Sequence, residues 1–543
     1  MNSNPKRLKT FALNEKNSEG NNLLHQFVLD NSDPNVSSSQ IFINGILRSM
    51  SDIAVNELNE EGYSALHLAV LKNNHLMVKE LLSCFKNIDV TTKCNDCYNN
   101  TALHLAVRLG HLSITEELLS KGGASIDMKN TNGDTALCFA AKSGDLSTIK
   151  LLVRKGADVN LMSNCSSPLH YAVESGSLEA VKFLVSEGAD LSAIDSNGST
   201  VIHFAAESGN LAIVEYLLSK GASIDMKNTN GDTALCFAAK SGDLSTIKLL
   251  VSKGANVNLM SNCSFPLHYA VESGNLEVVK FLVSEGADLS AIDSNGNTVI
   301  HFAAKSGNLA IVEYLLSKAA SIDMKNTNGD TALCFAAKSG DLSTIKLLVS
   351  KGANVNLMSN CSYPLHYAVE SGNLKAVKFL VSEGADLSAI DSNGSTVIHF
   401  AAESGNLAIV EYLLSNGALI NIKNRCELAP IHYAAEFGHL NIIKFLLDAG
   451  VRVNMKTEDW GSLLLCAMRS DNLETIKFLI DKGADVNTKD EYGYTPLHFA
   501  ANSDNVDVVK FLVSIGADLD AQAAKVNSSY FMQRSCRSYQ NAN

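Results

Sequence analysis

Fourteen histidines and twelve cysteines give this chain enough imidazole and thiol for acid–base, nucleophilic or zinc chemistry. Spacing decides whether they do any of it. Ten of the histidines and four of the cysteines (Cys138, Cys236, Cys334 and Cys466) each follow a leucine or isoleucine. From His67 to His498 the successive intervals are 37, 34, 32, 33, 33, 32, 33, 33, 32, 33, 33, 34 and 32 residues. No pair stands at nucleophile–base or metal-ligand spacing. Cys94 and Cys97 form a single C-x-x-C, which supplies two ligands where zinc takes four. We therefore expect no catalytic residue, no metal site and no cofactor, and assign no enzymatic activity.

A residue that recurs at such an interval marks an anchor point in a repeated structural unit. Each anchor opens a short apolar stretch ending at a glycine, such as CFAAKSG at 138–144. A second stretch follows, such as 145–157, with Leu146, Ile149, Leu152 and Val153 at helical spacing. Asp145, Asn210, Asp243 and Asn275 stand where the second helix needs an N-cap acceptor. Gly156, Gly188 and Gly254 stand where it needs a left-handed end. The polar, Asn- and Gly-rich residues between units predict a turn or hairpin. Helix, turn, helix, hairpin is the unit. A longer period is superimposed on it, because 123–220, 221–318 and 319–416 differ at only ten aligned positions.

With GYTPLHFAANSDNVDVVKFLVSIGA at 493–517 and GSTVIHFAAESGNLAIVEYLLSKGA at 198–222, the chain resembles ankyrin-repeat proteins. The resemblance implies an all-α solenoid of about 14–15 helix-turn-helix repeats with β-hairpin fingers, and a buried structural role for the anchor histidine. His25 takes that role in a divergent first repeat, and His75, His111 and His439 fall at the joint between the two helices. The predicted organisation is a disordered polar tail at 1–19, a capping repeat at 20–56, fourteen repeats at 57–519, and a half-repeat or basic tail at 520–543.

A net charge of −13 disfavours general nucleic-acid binding, which needs a basic face. No stretch approaches 18 apolar residues, so no membrane span is expected. Cysteines that recur at equivalent positions of different repeats cannot pair with one another, which points to reduced thiols and a cytoplasmic setting. The basic C-terminal residues Lys525, Arg534 and Arg537 also resemble export signals of effectors of intracellular bacteria, so secretion into a host cell is the alternative. The expected role is that of a monomeric scaffold for protein partners; an elastic spacer without a ligand is the rival reading.

Five aromatic residues break the repeat pattern and are the candidate partner-binding residues. Tyr98, Trp460 and Tyr492 lie six residues before an anchor, at a hairpin tip, where a ring serves as a binding anchor or folds onto its own hairpin. Phe265 and Tyr363 replace a helix-capping hydroxyl, which predicts a compensating contact, internal or with a partner. Two features of the regular pattern carry expectations as well. The rings following the anchors, such as Phe139 and Tyr171, are assigned to packing between adjacent helix pairs. The charge four residues after each anchor, alternately Lys142, Glu174, Glu207 and Lys240, reads as a solvated face that could also set specificity.

Overall fold

The computed structural model describes residues 15–31, 55–95, 98–121, 123–457, 461–503 and 505–523. Trp460, Cys97, the 37–50 half of the capping repeat and the basic tail from Lys525 lie outside them. The chain divides into two compact units, 1–288 and 289–543.

Each unit is a stack of helix pairs. The described residues form 29 helices, nearly all of seven to ten residues. Ala136–Ser143 and Leu146–Arg154 show why. Thr135 caps the first helix by accepting from the Cys138 amide, and Gly144 at φ 69° ends it in the left-handed region. Asp145 then caps the second helix by accepting from Ser147 and Thr148. Ile149 and Leu152 are fully buried, and Ala140 and Ala141 are small enough to let neighbouring backbones approach. Truncating Leu152 to Ala would cost about 2–5 kcal/mol by opening a cavity in that layer.

The expected hairpins are mostly absent as sheet. Among the described residues only Lys456–Thr457 pairs as a strand, with Gly461–Ser462, beside one isolated bridge between Lys93 and Thr101. The reason is a side chain that takes over the strand rungs. Asn130 Oδ1 accepts from the amides of Asn132 and Asp134, and Asn130 N–H donates to the Asp134 carbonyl. Neighbouring tips within a unit are bonded to one another, as in Asn164 N–H to the Asn132 carbonyl (3.1 Å) and Arg425 N–H to the Asn393 carbonyl (3.0 Å).

Backbone geometry settles one expectation: Gly156, Gly188 and Gly254 are left-handed at φ 97°, 91° and 96°. Ala319 keeps the left-handed conformation of Gly221, at φ 65°. The placement of His75 needs correction: Asn73 takes the left-handed turn and Asn74 is the N-cap, so His75 is the first helical residue. The connection has its usual length: Asn74, seven residues after His67, fills the slot that His111 fills seven residues after His104.

Candidate partner-binding surface

Six of the histidines in this role, His25, His104, His170, His203, His301 and His399, join repeats by reaching a carbonyl of the next tip through Nε2. His203 Nδ1 accepts from the Thr200 amide at 3.0 Å, while Nε2 reaches the Met226 and Asp232 carbonyls of the next tip at 2.9 and 3.1 Å. A carbonyl only accepts, so Nε2 carries the proton and the ring is neutral. Burial lowers the pKa of His170, His203 and His301, and takes His366, His399 and His432 down to about 4. Both nitrogens of His203 are engaged, which leaves no lone pair for a metal. The described residues contain no group of three or more potential metal ligands. The row of rings also packs between repeats: Phe204 lies edge-on to His170 at 5.2 Å and Phe400 to His366 at 4.9 Å.

Where cysteine replaces histidine, the tie is rebuilt by residues that the sequence reading passed over. Cys138 is buried against Thr135 Oγ1 at 3.4 Å, with burial raising its pKa, so it is a packed thiol. The carbonyl it cannot reach, that of Ser166, accepts instead from Ser163 Oγ within its own tip at 2.8 Å. Tyr171 Oη then donates to Asp134 Oδ1 of the preceding repeat at 3.1 Å. Ser359, Ser362, Tyr367 and Asp330 repeat the arrangement in the third copy. The signal was available: each of these three Cys anchors is followed by a tip one residue shorter that reads Ser-Asn-Cys-Ser.

The candidate binding residues separate into two kinds. Tyr98 and Tyr492 are exposed at their tips, at 41% and 36%. Phe265 and Tyr363 are half-buried, with ring centroids 5.6 Å from His268 and His366, so the contact that compensates for the lost hydroxyl cap is internal.

On the first helices of the second unit the charge row is less solvated than its sequence implied. Glu403 and Glu436 are half-buried. Burial, then Glu370, Glu436 and Asp391, push the Glu403 carboxyl up to about 7. Burial also raises Glu370 and Glu436, the latter opposed by Arg469, whose Nη1 lies 4.0 Å from Glu436 Oε1. No helix among the described residues is long and apolar enough to cross a membrane.

Helix pairs stacked and tied in this way define a repeat solenoid of the protein-interaction class. The family model for ankyrin repeats matches from residue 24 to 523 in eight overlapping segments, among them 24–130, 202–293 and 431–523. The chain belongs to the ankyrin-repeat family, whose repeats are generally protein-interaction modules. A Transient receptor potential cation channel subfamily A member 1 homolog of Caenorhabditis elegans is 43% identical over 75 residues, 14% of this chain and 6% of that protein. Ankyrin repeat domain-containing protein 29 of Danio rerio is 38% identical over 60 residues, 11% of this chain and 20% of that protein. Ankyrin repeat and KH domain-containing protein mask-1 of C. elegans is 40% identical over 65 residues, 12% and 2%. The chain thus covers a fifth or less of each of these relatives, and the likeness is one of repeats.

Proposed function

We propose that this chain is a non-enzymatic scaffold that binds protein partners through its tips and the first-helix face of several consecutive repeats. One observation carries the reading. Of the ten positions that differ among the 98-residue copies, five are exposed in all three, on or just after the second helices, and only 180/278/376 is buried in all three, as Ala, Val and Ala. The core is nearly constant while the surface changes, which is how a scaffold acquires specificity without losing its fold. Charge on the first helices changes in the same way, Lys305 standing where the other copies carry Glu207 and Glu403.

Thiols such as those of Cys138, Cys236 and Cys334, buried and not in disulfides, fit a reducing, cytoplasmic setting. The test is capture of partners from native lysate by the intact chain and by a Tyr98→Ala, Trp460→Ala, Tyr492→Ala variant. Loss of specific partners supports the tips as the site. Identical profiles discard them, and absence of any specific partner favours the spacer reading.

A further inference from the structure

One of the ten differences among copies reverses a charge on the opposite side of the helix pairs. In the first and second copies the second helix carries an internal ion pair, Lys182 to Glu179 and Lys280 to Glu277, both at 2.9 Å. In the third copy the acid is replaced by Lys375, three residues before Lys378. Among the described residues neither amine lies within 4.0 Å of a carboxylate, and nor does that of Lys346 on the preceding second helix, Leu342–Ser350. All three lysines are exposed. The Lys346 ammonium sits over the Phe379 ring at 5.7 Å and that of Lys378 over the Tyr412 ring at 5.4 Å, so each charge is positioned against a ring while its side chain stays exposed. The nearby acids are Glu313, 3.8 Å from Lys351, and Glu383 and Glu411, neither of which forms an ion pair.

We propose that Lys346, Lys375 and Lys378, set between the Phe379 and Tyr412 rings, form a docking surface for an acidic polypeptide segment of a partner protein. Charge complementarity carries the choice of occupant. Like charges three residues apart on a helix repel, and the protein supplies no counter-charge within ion-pair distance. Packed helices stand about 8–10 Å apart, so Lys346 and Lys378 match carboxylates about three residues apart on an extended chain. The surface lies on second helices, apart from the tips and first helices, and stands or falls separately from the function proposed above.

The copies provide their own controls. Lys375→Glu restores the residue that the other two copies carry in the same helix, so the fold has already accepted it. Glu277→Lys carries the third copy's residue into the second. The probe is a fluorescein-labelled twelve-residue polyglutamate, titrated onto the full chain by anisotropy at low salt. Wild type is expected to bind, with affinity falling as salt rises. Lys375→Glu should weaken binding about fivefold, the equivalent of about 1 kcal/mol for an exposed charge reversal. Adding Glu277→Lys to that variant should restore it. No binding, or unchanged affinity in Lys375→Glu, overturns the proposal. Tighter binding to phosphatidylserine vesicles or to a single-stranded oligonucleotide than to polyglutamate overturns it in favour of those ligands.

Discussion

The Glu370–Glu403–Glu436 row makes a signed prediction about pH. A carboxyl moved from 4.5 to about 7 by burial and by its acidic neighbours binds its proton more tightly in the folded chain than in the unfolded one. Its stabilising contribution is complete below about pH 4.5 and is lost as pH rises through 7. Above 7 the ionised group is a net cost. At about 1.36 kcal/mol per pH unit this displacement corresponds to about 3 kcal/mol. Glu403 retains some contact with solvent, so about 2 kcal/mol is the working figure. Glu403→Gln keeps the shape and removes the charge, and it also relieves Glu370 and Glu436.

The histidines act with the opposite sign. His366, His399 and His432 are held near 4 by burial, so their contribution is complete above about 6.5 and lost as pH falls towards 4. Between about pH 4.5 and 6.5 the two trends oppose each other, and removing the Glu403 charge should leave the histidine trend alone. Hydrogen exchange in the helices Val397–Glu403 and Pro430–Glu436, corrected for intrinsic rates, reads the effect locally; a solenoid need not unfold in one step. Protection should rise with pH between about 4.5 and 7 more steeply in Glu403→Gln than in wild type, and the variant should be better protected at pH 8, both proteins losing protection on the acid side. Identical pH profiles in the two proteins would refute the assignment.

Three further outcomes follow from local geometry. Ala319→Gly should raise the melting temperature, because a Cβ at φ 65° costs about 1 kcal/mol; a lower value would show that the residue relaxes elsewhere. Amides of the five-residue helix Leu463–Ala467, whose capping Ser462 has a buried Oγ with no partner, should exchange faster than those of Ala234–Ser241, and equal protection would contradict this. Tyr171→Phe should cost about 1 kcal/mol by deleting the hydrogen bond to Asp134, visible as a lower urea midpoint.

What the sequence made legible was whatever depends on the repeat period. Caps, left-handed glycines and the buried imidazole are fixed by contacts inside one unit or with the next, so a 33-residue register places them. What it hid depends on how neighbouring surfaces close. The row containing Glu403 reads as a solvated face, and Glu174, Glu207 and Glu272 are indeed exposed. In the same slot Glu403 and Glu436 are half-buried, although Glu370 before them is exposed. Phe265 and Tyr363 looked like surface anchors because their slot normally holds a polar cap; the histidine three residues on offered them a ring face. At 458–460 the comparison stops, Trp460 lying outside the described residues.

The cysteine anchors make the sharpest remaining prediction and explain why the duplicated block spans three repeats. A histidine anchor needs a free carbonyl in the following tip, and the short Ser-Asn-Cys-Ser tip keeps that carbonyl for its own serine. Cys138 and the tip at 163–166 therefore belong together, and so do Cys334 and 359–362. Copying a single repeat would set a cysteine before a long tip or a histidine before a short one; copying 98 residues preserves each match. Cys466 is the exception, because the tip after it is the ordinary kind, with Asp490 N–H bonded to the Tyr494 carbonyl as Asn228 N–H is to Asp232. Asp232 also accepts from His203, so Tyr494 should accept from a histidine at 466. Cys466→His should then stabilise the second unit by about 1 kcal/mol. Cys138→His, which finds the Ser166 carbonyl already bonded and must crowd a filled site, should destabilise the first by about 1–3 kcal/mol. Urea denaturation of the two variants decides it: a shift of the same sign in both would mean that anchor and tip are independent.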